Sequence, residues 1–281
     1  MSRWRVRPRA LLHGINQRLV GRDLALIAAG LTFYAGIAVV PLLLLAFSLT
    51  ARLTSPERVR ALGDRLAVLL PGELGAPAAV DRLVEAGVGL DLLGVLLALL
   101  PMTFYGEGLR RALLRFSSRR DESWTAWRGR LAALPLLLVT PVLLYPLLLA
   151  VDVMADLAAR GGAAATVGRV AVGFYSVMAG LTVPLAWGFR IAGIVRVRWW
   201  VLGAGALFTA ACLSGFLQGF VLFLSLPLSI GAPFGGLDVV GGVVAIGLWM
   251  FVLHLVVIYG WLATQTLDEL LDPGGGDRPP G

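Results

Sequence analysis

The side chains best suited to chemistry are few: two histidines, His13 and His254, and one cysteine, Cys212, in 281 residues. Metal-assisted hydrolysis needs several imidazoles or carboxylates converging on one or two ions. No H-x-H, D-H or C-x-x-C spacing occurs, and the acids Asp23, Glu107, Asp121, Glu122, Asp268 and Glu269 are scattered and flanked by arginine. A metal-free nuclease would want a histidine pair or a His–Lys arrangement, and the chain contains no lysine. Phosphate-loop, dinucleotide and serine-nucleophile signatures are also missing. The expectation is a protein that is not an enzyme and takes no cofactor or metal.

Three polar features remain. His254 lies deep in an apolar run, where an imidazole either shuttles protons or sits neutral, hydrogen-bonded to a neighbouring helix. Asp152 and Asp156 are spaced i, i+4 and so share a helix face. They are candidate ion-pair partners of Arg169, with entry of a substrate or proton as the alternative. Gln218 falls inside Gly215-Phe-Leu-Gln-Gly219, a spacing that suits close helix packing.

The elements that position these groups follow from composition. Hydrophobic residues make up 58%, charged residues 15%, and the mean hydropathy is +0.84. A water-soluble globule of this size cannot cover that much apolar surface. A cytosolic enzyme, a secreted disulfide scaffold and a disordered chain are therefore excluded. Six apolar stretches approach or exceed the roughly 20 residues that cross a bilayer as a helix: 24–49, 89–106, 131–151, 167–189, 199–224 and 239–263. Backbone groups in hydrocarbon must be satisfied within the segment, so these are helices. The first run is longer than a signal-peptide core and is read as a retained span. Cys212 lies in an apolar run and reads as a small hydrophobe. Residues 1–23 form a basic arm, 24–271 one membrane domain, and 272–281 a tail disordered by composition.

The net charge is +7, and every basic residue is arginine. Six arginines lie in the arm, seven in 107–130, three at 190–198 and one in the tail, so one side of the membrane holds seventeen against seven on the other. The positive-inside rule then places both termini in the cytoplasm of a plasma membrane. The arginine clusters are expected to face anionic lipid headgroups, not nucleic acid. Self-association is compatible with this reading.

On the opposite side, residues 50–88 balance five arginines with five acids. Ser55-Pro56-Glu57 opens a helix, Val59, Leu62, Leu66 and Leu69 recur at helical spacing, and Pro71-Gly72 ends it. A second short helix over 77–86 shows Val80, Leu83 and Val84. Both read as amphipathic helices lying on the outer face. Asp91 and Asp238 stand where they would cap the helices that follow.

Proline falls inside the first four spans, at Pro41, Pro101, Pro141, Pro146 and Pro184, and in neither of the last two. Kinked helices are one mark of transporters. Tyr34, Pro41, Tyr145 and Pro184 are therefore the candidate lining of any cavity, with Gln218 and His254 offering polar contacts.

This pattern resembles the YihY/BrkB family of bacterial inner-membrane proteins, formerly mislabelled ribonuclease BN. In the first span Ala28, Leu31, Phe33, Tyr34 and Pro41 match the family's first helix. FYGEGLRRALLRF stands where the family carries a basic cytoplasmic segment. Gly242, Leu248 and Trp249 match a Gly-rich loop leading into the sixth helix. One departure is plain: where the family usually closes that helix with Gly-Ala-Glu, Gly260 is followed by Trp261 and Leu262. The resemblance implies a six-helix plasma-membrane protein. The reading is an all-α multi-pass membrane protein, non-catalytic, with a role in the cell envelope; the alternative is a transporter or flippase of lipids or amphiphiles.

Overall fold

The computed structural model describes residues 8–69, 76–116, 150–192, 197–224, 226 and 229–271. These residues are helical, with no strand among them. In chain order the helices are α1 (Pro8–Leu19), α2 (Leu24–Leu53), α3 (Pro56–Leu69), α4 (Ala76–Val88), α5 (Leu92–Arg115), α6 (described over 150–160), α7 (Gly162–Ala192), α8 (Trp199–Leu224) and α9 (Asp238–Leu271). A single 3-10 turn, Ala232–Phe234, precedes α9.

Local chemistry sets the boundaries. Gly21, at φ +73°, turns the chain out of α1. Asp23 then caps α2, its Oδ1 accepting from the Leu26 amide at 2.9 Å. Ser55 Oγ accepts from the Arg58 amide at 3.2 Å and starts α3. Asp91 caps α5 through the Gly94 amide at 2.7 Å. Between α8 and α9, Gly235 and Gly236 both take positive φ.

Five helices, α2, α5, α7, α8 and α9, are long and apolar enough to cross a bilayer. In the most apolar window of each, at most 28% of the residues are buried. Their outward faces therefore need an apolar surrounding, which a bilayer supplies. The predicted third span, 131–151, lies outside the described residues except at its last two positions, which open the described part of α6.

The bundle has two distinct ends. At one, α1 lies along the last turns of α9: Gly14 sits against Thr266, and Arg18 reaches Gln265 and Glu269. This arm end also gathers the start of α2, the ends of α5 and α7 and the start of α8. Ala28, Leu31, Leu113, Phe116, Phe189, Val201 and Trp261 form its core. At the other end α3 and α4 pair as a hairpin on the last turns of α2. The starts of α2 and α8 and the ends of α5, α7 and α9 thus share the arm end, so α5 and α7 run in the same direction. Phe116 lies at the arm end, while Asp152 lies at the hairpin end beside Arg65.

Helices α8 and α9 approach through reciprocal glycines. Gly205 receives Thr264, and Gly260 receives Thr209, each contact too close for a Cβ on the glycine. Each threonine hydroxyl donates back to the carbonyl of the glycine one turn before it, at 2.7 Å. No polar atom of this seam is left facing hydrocarbon.

The hairpin corrects one expectation. Val59, Leu62 and Val84 pack on Phe47 and Ala51 of α2, and Gly87 sits against Leu44 and Phe47. The apolar faces of α3 and α4 are covered by protein, because a two-helix unit this short buries most by closing on itself and on α2. Its outer side carries Arg60 and Glu85, bonded at 2.7 and 3.2 Å. The hydrogen bonds from Arg60 hold the Glu85 carboxyl below its ordinary value. A depressed carboxylate contributes above its ordinary pKa and loses that contribution as pH falls through the folded value. Proteolytic cleavage of the hairpin is therefore expected to be flat from about pH 6 to about pH 9, rising only in strong acid. A rise between pH 7 and 6 would point to a histidine instead.

Candidate functional site

His254 lies sixteen residues beyond the start of α9 and seventeen before its end, roughly 25 Å from either. It is 5% exposed. Its Nδ1 is 2.7 Å from the Met250 carbonyl oxygen. A carbonyl only accepts, so Nδ1 carries the hydrogen; in the neutral ring that an apolar surrounding favours, Nε2 then keeps its lone pair. Nε2 faces the Tyr105 hydroxyl of α5 at 3.3 Å. Thr32 of α2 donates its hydroxyl to the Ala28 carbonyl at 2.9 Å and lies 3.2 Å from Nδ1 as a secondary acceptor. The Tyr105 and His254 rings meet edge to face at 5.9 Å. A neutral imidazole, fully partnered, thus joins α2, α5 and α9 at mid-depth. The chemistry this arrangement offers is a proton acceptor at Nε2, with Tyr105 as its hydrogen-bond donor.

Replacing Tyr105 by phenylalanine removes that donor and leaves Nε2 bare in hydrocarbon. The expected cost is about 1 kcal/mol, read as an earlier midpoint in a denaturing-detergent titration. Thr32→Val should cost less, since Nδ1 keeps Met250.

The remaining predicted residues are dispersed. Tyr34 packs its ring on Gly108 of α5, where a Cβ would lie 2.7 Å from a ring carbon, and is 37% exposed. Pro41 lies in the second half of α2, and Pro184 within α7. Gln218 lies on Gly173 at the α7–α8 contact, its Nε2 2.7 Å from where a Cβ would stand. Tyr34 and His254 share the α2–α5 neighbourhood. No hydrogen bond or ring contact among the described residues brings Gln218 or Pro184 to them. Tyr145 lies outside the described residues.

The acids of α6 differ from expectation. Asp152 meets Arg65 at 3.1 Å and Arg58 at 3.8 Å, both from α3. Among the described residues no ion pair joins Arg169 to Asp152 or Asp156. The hairpin brings two arginines of α3 to the start of the described part of α6, and Asp152 meets them there.

Sequence reasoning missed the arm end, where distant acids are each matched to an arginine. Glu107 accepts from Arg110 twice at 2.9 Å and from Arg111 at 2.6 Å. The Glu107 and Arg110 side chains are 6% and 9% exposed. Arg198 holds Asp268 at 2.7 Å and donates to its backbone carbonyl at 2.8 Å. Arg18 bonds Gln265 at 2.6 Å, the Phe116 carbonyl at 3.3 Å, and Glu269. Trp261, fully buried, donates from Nε1 to the Leu113 carbonyl at 3.1 Å and packs on Phe189 with centroids 5.3 Å apart. The i, i+3 and i, i+4 spacing of Glu107 with Arg110 and Arg111 was a visible signal. Pairs reaching across 70 or more residues were not. Among the described residues no three His, Cys, Asp or Glu side chains converge as a metal site would require.

Long apolar helices with sparsely buried faces, clamped by charge at one end, are those of an integral membrane protein. Residues 15–280 match the family described as virulence factor BrkB, and the chain belongs to that family. No curated protein and no solved structure matches it. Leu262, two residues after Gly260, is buried in the arm-end core.

Proposed function

We propose that the chain is a non-catalytic, six-span protein of the bacterial plasma membrane, with its arm end cytoplasmic, that serves the integrity of the cell envelope. One observation carries this reading: every acid described at the arm end is committed to its own chain. Asp23 caps α2, Glu107 holds two arginines, and Asp268 and Glu269 each hold one. A carboxylate held this way has little freedom to bind a metal or activate water. The seventeen-to-seven distribution of arginine supports the orientation. A sixth crossing between Phe116 and Asp152 accounts for their lying at opposite ends. Anionic lipid at the arginine clusters is the partner this reading implies.

The transport reading is favoured by the polar group His254–Tyr105–Thr32 at mid-depth beside two proline-containing helices, α2 and α5. Two measurements decide. Deleting the gene should sensitise the bacterium to detergents that its envelope normally excludes, with rescue by the wild-type chain; unchanged resistance would refute the envelope role. In proteoliposomes, labelled phospholipid should cross no faster than in protein-free vesicles; faster crossing would favour transport. For orientation, a reporter active only in the cytoplasm should work when fused after Leu271 and fail near Pro71.

A further inference from the structure

From Leu157 to Leu237 the chain contains no aspartate or glutamate, yet it carries Arg160, Arg169, Arg190, Arg196 and Arg198. Three of these arginines fall within residues 190–198, and of them Arg190 and Arg198 stand where α7 ends and α8 begins. Asp268 of α9 answers Arg198. Arg190, in the last turn of α7, meets no carboxylate among the described residues. Its guanidinium carbon instead rests 4.8 Å from the ring centroid of Trp199, the first residue of α8. A guanidinium over an aromatic face still presents its N–H edge, the fork that fits a phosphate bidentately. Trp199 is 68% exposed, and Trp200 beside it is exposed as well.

The surface leading to this pair is apolar. On α7, Val183 and Trp187 are exposed at i, i+4 spacing, and Arg190 follows Trp187 by three residues on neighbouring surface. Two spanning helices end here, so the cation and its tryptophan stand at headgroup level, above a strip of helix that faces acyl chains. A cation that meets no carboxylate among the described residues, an aromatic platform and an apolar stem together match one ligand chemistry: a phosphodiester with a hydrocarbon tail and no neutralising amine.

We propose that Arg190 and Trp199 hold the phosphate of an anionic phospholipid of the cytoplasmic leaflet, with its acyl chain along Val183 and Trp187. The leaflet, though not the site, rests on the orientation proposed above.

The test uses the full-length chain in nanodiscs and counts lipids retained after extraction by native mass spectrometry. Phosphatidylglycerol should be retained over phosphatidylcholine. Arg190→Gln should lower its retention about fivefold, the factor one basic residue supplies near an anionic surface. Arg160→Gln, at the hairpin end, should leave it unchanged. Equal retention of the two lipids, or wild-type retention by Arg190→Gln, would overturn the site, and displacement by excess inorganic phosphate would mean a free-anion site. Should Arg190→Gln fail to fold, brominated phosphatidylglycerol should quench the wild-type tryptophan emission more than that of Trp199→Phe; equal quenching would overturn the site. The leaflet is tested separately in a Cys212→Ser background. An impermeant maleimide should not label Arg190→Cys from outside intact cells, and labelling there would refute the leaflet while leaving the lipid counts to judge the site.

Discussion

Glu107→Gln is expected to lower stability by about 3 kcal/mol, the penalty for leaving a buried charge without its partner. Arg110 would keep at most one bond, to the amide oxygen, and lose its opposite charge while remaining packed within the arm end, 9% exposed. Arg111, 61% exposed, would turn to water at little cost. The effect should appear as a shifted midpoint in a denaturing-detergent titration and as a reduced yield of extracted protein. Arg111→Gln should move neither by more than a few tenths of a kcal/mol. The contrast matters because both arginines touch one carboxylate at similar distances. Burial, and not distance, decides which bond the fold depends on.

Trp261→Ala is expected to be at least as costly. The indole is fully buried, touches Phe189 of α7 and bonds the Leu113 carbonyl of α5. One side chain therefore fastens three spans. Removing it opens a large cavity and frees a buried carbonyl, together about 3–5 kcal/mol. Trp261→Phe keeps most of the volume and loses the N–H, so it should cost about 1 kcal/mol. If the two variants were equally damaging, the hydrogen bond would outweigh the packing.

Hydropathy located the long helices, but charge misled their ends. The second predicted span stops at Gly106, whereas α5 runs to Arg115. The sixth stops at Ala263, whereas α9 runs to Leu271. The first boundary falls where ionisable residues begin, at Glu107, and the second where polar ones do, at Thr264, with Asp268 and Glu269 beyond. The helix continues because those residues find partners: Glu107 with Arg110 and Arg111, Asp268 with Arg198, Glu269 with Arg18. Partner distance in sequence explains what was invisible. Arg18 and Glu269 are 251 residues apart, and nothing local marks them as a pair.

The helix α1 was legible and overlooked. Leu11, Ile15 and Leu19 recur at i, i+4, i+8 in the basic arm, and Ile15 and Leu19 pack on the arm-end core. His254 was legible as a polar group deep in an apolar run, with proton shuttling and a neutral hydrogen-bonded imidazole both open, but its partners Tyr105 and Thr32 came only from the packing of three helices. The Asp152 pairing went to Arg65 and Arg58 because the hairpin folds back over α6, a contact that spacing along the chain does not encode.

The buried charges of the arm end are expected to serve the fold only as matched pairs, costly to leave single, and to perform no chemistry. The double variant Glu107→Gln, Arg110→Gln tests it most directly, because removing both members of a buried pair leaves no orphan charge. It should unfold in detergent within about 1 kcal/mol of the wild type and fully restore detergent resistance to cells lacking the gene. A double variant that folds like the wild type and fails to restore resistance would contradict the claim and make the Glu107 carboxylate itself a functional group.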